Sequence, residues 1–247
     1  MISEFSIKRD SDQQASGYDR VVSFLKEQLI HGHLKEGDML LPERELALRL
    51  NVSRPVVREA LRALAIIGAV EIQHGVGTVI RQPDATALGE FFSIGLAHHA
   101  RAVDDVMEAR VAIECQAIRL ACARATSIDF IQLAGGIDDI RATIGDPVAG
   151  ARADFEFHRL IVQASRSDTL ISIYSVISDL LLRSHLNRRR EVATVEGINR
   201  DIEQAHVEIL EAIEARDADA ADAVLRRHFA IGAQIRSSAL PNREGAE

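Results

Sequence analysis

Apolar positions recur every three or four residues along most of the 247-residue chain, the period of helices with one buried face. The first such stretch runs from about Tyr18 to His31, with Val22, Leu25 and Leu29 inward and Gly32 as its stop. Pro42–Leu50 reads as a short second helix, Leu46 and Leu50 inward and Arg44 and Arg49 on its polar side. Asn51-Val52 then turns into a third helix. Ser53 is its predicted N-cap, its hydroxyl accepting from the first turn, and Pro55 follows where a missing N–H costs nothing. Val57, Ala60, Leu61 and Leu64 share one face of that helix, Arg54, Arg58 and Arg62 step by four along an adjacent one, and Gly68 supplies the left-handed stop. The period then changes. Val70–Gln73 and Thr78–Arg81 flank a His74-Gly75-Val76-Gly77 turn, which predicts a small β-hairpin.

Beyond Pro83 the pattern is helical throughout, with helices expected at about 84–100, 103–125, 128–144, 148–165, 169–190, 195–215 and 218–237. Thr126-Ser127, Gly145-Asp146-Pro147 and Ser167-Asp168 mark breaks, and no alternating segment is long enough for a further sheet. Residues 1–16 and the last ten residues read as tails. The fold class is mainly α: an N-terminal winged helix-turn-helix over residues 17–82, a linker and connecting helix over 83–102, and an all-α antiparallel bundle over 103–237. A helix pinned on one side and carrying stacked arginines on the other suits a DNA major groove.

Charge seems at first to oppose that reading, because the chain carries a net −8. Its distribution resolves the conflict. Residues 1–82 hold 11 Lys+Arg and 11 Asp+Glu, so all the excess acid lies beyond them. A reader module with a local positive surface, joined to an acidic sensor domain, fits this asymmetry. Aromatic content of 4% without Trp favours aliphatic helix packing. No apolar run approaches the ~20 residues that span a membrane, and the polar N-terminus is unlike a secretory signal. Cys115 and Cys122 read as reduced core thiols, and a cytoplasmic location is expected.

The bundle carries its own chemistry. Asp154 and His158 are four apart, on one face of a helix. His206 lies 11 residues before Asp217 and His228 lies 11 after it. In a helical hairpin turning at Asp217 both imidazoles reach about the same height, roughly 16 Å from the turn. One Asp and three His converging in a bundle suit a divalent first-row metal, zinc before nickel or manganese. Any single histidine here is more often a hydrogen-bonded core residue than a ligand; three histidines and an aspartate at compatible heights are harder to dismiss. Arg110 and Glu114, also four apart, admit two readings: an ordinary intrahelical pair, or an inward Arg110 that meets an acidic ligand opposite the metal. Arg183, His185, Asn187 and the run Arg188-Arg189-Arg190 carry no assignment beyond the proximity of one of them to that pocket.

GDMLLPERELALRLNVSRPVVREALRAL followed by VEIQHGVGTV resembles the DNA-binding domain of the GntR superfamily of bacterial transcription regulators. The resemblance implies operator contacts at Arg44, Arg54, Arg58 and the wing tip His74-Gly75, and Ser53 at the head of the recognition helix is placed with them. Leu40-Leu41-Pro42 departs from the family's usual Leu-Pro-Ser, which moves the proline and removes a Ser cap from the second helix. Residues 103–230 resemble the FCD (FadR C-terminal) domain, whose D-x-x-x-H…H…H pattern falls on Asp154, His158, His206 and His228. Its Arg-x-x-x-Glu falls on Arg110 and Glu114, the expected effector-binding residues. The resemblance thus implies a homodimeric regulator on double-stranded, inverted-repeat operator DNA, answering to a small carboxylate effector beside the metal. Two alternatives stand beside it: a metal-dependent enzyme joined to a DNA-binding module, for which no general base is singled out, and a purely structural metal.

Overall fold

The computed structural model describes residues 16–83, 85–96, 98–99, 101–192 and 198–239. Of the tails expected at residues 1–16 and 238–247, residues 1–15 and 240–247 lie outside them, whereas Ser16 caps the first helix and residues 238–239 close the last. The chain divides into two compact units, residues 1–87 and 88–247.

In the first unit, α1 (Gly17–Ile30) opens on a reciprocal cap. The Ser16 backbone N–H donates to the Asp19 carboxylate, and the Asp19 N–H donates to the Ser16 hydroxyl. It stops at Gly32, whose φ of 69° glycine adopts without strain. Its buried face is Val21 and Leu25 with Phe24 packed beside them. This corrects the expected Val22/Leu25/Leu29 face: Leu29 is 40% exposed. The Val21-Val22 pair offers two registers, and the bulk of Phe24 one turn on selects the one it shares with Val21 and Leu25. Helix α2 (Glu43–Arg49) begins after Pro42 with no side-chain cap, and Asn51 at φ 49° makes the turn toward α3 (Arg54–Ile66). Leu46, Val57, Ala60 and Leu61 close the core against Val70 and Ile80. The hairpin pairs β1 (Val70–Gln73) with β2 (Gly77–Ile80), so the second strand starts one residue earlier than expected. Met39 bridges to Val79 and adds a residue of third strand. This is a winged helix-turn-helix.

Ser53 corrects another expectation. It occupies the N-cap of α3 with extended backbone, but its hydroxyl makes no capping hydrogen bond. A cap hydroxyl bonds the N–H of the second or third helical residue. Here the second is Pro55, which has none, and the exposed hydroxyl makes no bond to the third, Val56.

The second unit is all-helical among the described residues: α4 (Ala85–Leu96, beginning at the boundary), α5 (Ala102–Arg124), α6 (Ser127–Thr143), α7 (Pro147–Ala164), α8 (Asp168–Val176), α9 (Ser178–Val192), α10 (Ile198–Glu214) and α11 (Ala218–Ala239). Thr126 and Asp129 cap α6, and the Asp146 carboxylate accepts from two N–H groups at the head of α7. Ile118, Leu133, Ile140, Phe157, Ile161, Ile209 and Leu225 form the main core. The helix expected at 169–190 is two helices, broken at Ile177. The Ser175 hydroxyl donates to the Ile171 carbonyl one turn earlier, a contact that bends helices. Gly89 of α4 packs at the break, where a Cβ would come within 3.0 Å of the Val176 carbonyl oxygen. Cys115 and Cys122 are free and buried. No described helix is long and apolar enough to cross a membrane.

Candidate metal centre and DNA-reading surface

Helix α7 presents Asp154 and His158 from successive turns, α10 presents His206, and α11 presents His228. One ligand atom from each lies within 4.8 Å of all the others. Donors about 2.0–2.2 Å from a shared ion are at most about 4.4 Å apart, so this set is within a few tenths of an ångström of coordinating geometry. The α10–α11 turn, with Arg216 at φ 57°, folds the two helices together and leaves the His206 and His228 rings 4.8 Å apart.

The ring orientations are also suited to a metal. His206 donates from Nδ1 to the Ile202 carbonyl at 2.6 Å, which turns Nε2 toward Asp154 Oδ1, 3.2 Å away. His158 Nε2 is 3.3 Å from the same oxygen, and its Nδ1 lies 2.7 Å from Glu114 Oε2, a short contact that is not aligned as a hydrogen bond. Burial opposes charge on Asp154, but His185, His158 and His206 around it hold its carboxyl well below the usual range. Burial, with His206 and His158, pushes His228 well below the ordinary imidazole value. An ionised Asp154 carboxylate beside a His228 imidazole held neutral suits a cation.

Arg110 and Glu114 stand behind this cluster, both fully buried on α5. Arg110 Nε donates to Glu114 Oε1 at 2.8 Å, and the Tyr174 hydroxyl donates to the same oxygen at 2.9 Å. Burial works against the Glu114 charge, yet Arg110 and then His158 hold it at about 2. The carboxylate is therefore used by the protein's own groups. Arg110 is not: its Cζ lies 4.5 Å over the Phe229 ring, and Nη1 and Nη2 have no hydrogen-bond partner. The intrahelical ion pair forms, and its arginine keeps Nη1 and Nη2 without a partner.

Sequence reasoning left out the contribution of α9. Ser184, His185 and Arg189 are buried there, and His185 Nδ1 and Arg189 Nε each lie 3.5 Å from Asp154 Oδ2. Burial and the Arg110 charge lower His185 to about 3. The signal was available: residues 181, 185 and 189 share a helix face, and an apolar residue heads it. Arg183 and Asn187 are exposed.

In the first unit, Arg44, Ser53, Arg54, Arg58, His74 and Gly75 are all exposed. Gly75 takes a φ of 75° at the hairpin tip. Arg58 is held across the helix pair by Glu43, Nη2 to Oε2 at 2.9 Å with Nε 3.3 Å from both oxygens.

Residues 17–80 match the profile of the family described as bacterial regulatory proteins, gntR family, and residues 105–230 match that of the FCD domain. The chain is 31% identical over 210 residues to the HTH-type transcriptional repressor NanR of Cronobacter sakazakii, covering 83% of this chain and 79% of that protein. It is 29% identical over 201 residues to the HTH-type transcriptional regulator LutR of Bacillus subtilis, covering 81% and 91%. A solved structure of Streptococcus agalactiae GntR aligns with a TM-score of 0.67 at 25% identity, over 89% of this chain and 99% of that one.

Proposed function

The chain belongs to the GntR family of bacterial regulatory proteins, in the branch that carries an FCD domain, and is a transcription regulator; we propose that a small organic acid, bound beside a divalent metal in the bundle, sets its affinity for an operator. The observation that carries this is the pair of unpartnered Arg110 Nη donors buried behind the Asp154–His158–His206–His228 cluster. A guanidinium fork is matched to a carboxylate, and a metal that only fixed the fold would not call for one.

Asp154, His158, His206 and His228 would hold the metal. Three imidazoles and a carboxylate suit zinc first and also nickel or manganese. When bound, the ion supplies a fixed positive charge that anchors and polarises a carboxylate oxygen. Glu114 orients His158, the common carboxylate–imidazole support of a metal ligand, and Arg110 meets the effector. In the reader unit, Arg54 and Arg58 enter the major groove of an inverted-repeat site bound by a homodimer. Arg44, the free Ser53 hydroxyl and the His74-Gly75 tip take phosphates and the groove edge. The enzyme alternative loses ground because Glu114, the nearest base, is committed to Arg110, Tyr174 and His158.

Fluorescence anisotropy on a labelled operator tests the reading, with zinc-loaded and chelator-treated protein titrated against a panel of small organic acids. The expected result is an acid-dependent change in operator affinity that needs zinc and is lost in Arg110→Ala, which keeps its zinc. An acid response that survives complete metal removal overturns the proposal, as does full response in Arg110→Ala.

A further inference from the structure

The cluster around Asp154 holds more donors than the protein supplies acceptors for, and they come from two helices. On α5, Arg110 commits Nε to Glu114 and leaves Nη1 and Nη2 without partners. On α9, Arg189 Nε and Nη2, both ring nitrogens of His185 and the Ser184 hydroxyl are buried without a hydrogen bond. Arg189 and His185 stand 3.5 Å from Asp154 Oδ2, in ion-pair range but too far for a hydrogen bond. The Arg189 guanidinium rests over Gly150 in the first turn of α7, where a Cβ would lie 3.6 Å from its Cζ. That proximity places the guanidinium against the first turn of α7, one turn before Asp154. Buried guanidinium donors left unmet are destabilising. Two arginines kept in this state imply a ligand that brings acceptors to both.

Charge says how many negative groups it brings. Among the described groups that contact one another here, Arg110 and Arg189 are cations, and Asp154 and Glu114 are anions. These cancel. The imidazoles bind a metal in neutral form, so a divalent ion leaves the cluster at plus two, and the ion's charge belongs in any such count. A monocarboxylate leaves one positive charge buried; a dianion leaves none.

We propose that the effector is a small dicarboxylate, one carboxylate held by Arg110 with the metal and the other by Arg189 and His185. This rests on the effector-site reading above and adds its valence. Titration calorimetry of the zinc-loaded full chain at constant ionic strength compares acetate and propionate with malonate and succinate, with inorganic phosphate as a compact dianion. The better dicarboxylate binds at least ten-fold tighter than either monocarboxylate. Arg189→Ala lowers dicarboxylate affinity at least ten-fold and leaves monocarboxylate affinity within two-fold, while Arg189→Lys recovers part of the loss. The wild-type ratio needs no variant and decides the matter even if Arg189→Ala does not fold. Monocarboxylates binding as tightly as dicarboxylates overturn the two-carboxylate inference alone. Phosphate binding ten-fold tighter than either dicarboxylate overturns it too, replacing the second carboxylate with a single compact dianion. If no acid of any class binds or alters operator affinity, the effector-site reading falls with it.

Discussion

In its proposed DNA-reading role Arg58 would meet DNA with its guanidinium already engaged by Glu43. An exposed, solvent-screened pair of this kind adds little to stability, so its value lies in orientation: it braces the guanidinium through Nε and Nη2. Arg54→Ala and Arg58→Ala should each weaken specific operator binding by about 1–3 kcal/mol. Glu43→Gln should leave folding stability nearly unchanged and raise affinity for non-specific DNA while narrowing the specific-to-non-specific ratio, because it removes both a negative charge and the brace. Anisotropy on operator and scrambled duplexes measures both, and an unchanged ratio in Glu43→Gln removes the bracing role. His185 makes a different residue-scale prediction. Its folded value of about 3 lies below the unfolded value of about 6.5. Between those limits the unfolded chain binds the extra proton, so stability is highest near neutral pH and falls as pH drops through that window. At pH 5 this one group accounts for a loss of about 2 kcal/mol. In urea unfolding of metal-free protein at pH 7 and pH 5, His185→Gln should lose about that much less than wild type; equal losses would show that His185 is not held neutral.

The helical hairpin of α10 and α11 concentrates the metal reading at the scale of elements. His206 and His228 come from helices that touch only because the chain turns back at Arg216. Metal bound only to the folded state stabilises it. The His206→Ala/His228→Ala double variant should therefore lose zinc and its chelator-sensitive rise in melting temperature, while His98→Ala and His99→Ala keep both; equal zinc content in the double variant would end the assignment. This convergence was readable because helix height is linear in residue number, and the equal spacing of the two histidines about Asp217 needs no tertiary knowledge. Other features were not readable for equally physical reasons. Nothing in the sequence near Ile177 breaks a helix by propensity, since the bend follows from the Ser175 hydroxyl and the close approach of Gly89. The Val21-Val22 pair left the register of α1 open until Phe24 was packed. Ser53 was assigned a hydroxyl bond that Pro55 helps to remove. Arg189 looked like one more arginine at a basic helix end, and only the packing of α9 against α7 turns it inward.

At the scale of the whole chain, a neutral reader unit and an acidic bundle are joined in one polypeptide, so a ligand in the second has to act on DNA binding through free energy alone. An effector changes operator affinity only if it binds the DNA-competent and DNA-incompetent arrangements unequally. The relation runs both ways: operator DNA must change effector affinity by the same factor. Coupling of this kind is typically about 5–150-fold, large enough to measure in each direction. Effector affinity of the zinc-loaded protein should be determined alone and again with saturating operator duplex, at one salt concentration because phosphate contacts make DNA affinity strongly salt-dependent. The ratio of the two should equal the ratio of operator affinities measured without and with saturating effector. Arg110→Ala should reduce effector affinity by roughly 1.5–3 kcal/mol, the scale of a charged hydrogen bond, and move the effector titration without altering operator affinity in its absence. If the two ratios differ, with equilibrium established in both titrations, the acid is acting on DNA binding by a route other than its site in the bundle. If they agree in wild type and Arg110→Ala changes operator affinity on its own, Arg110 belongs to the machinery that holds the two arrangements apart, and its role in ligand binding must be apportioned anew.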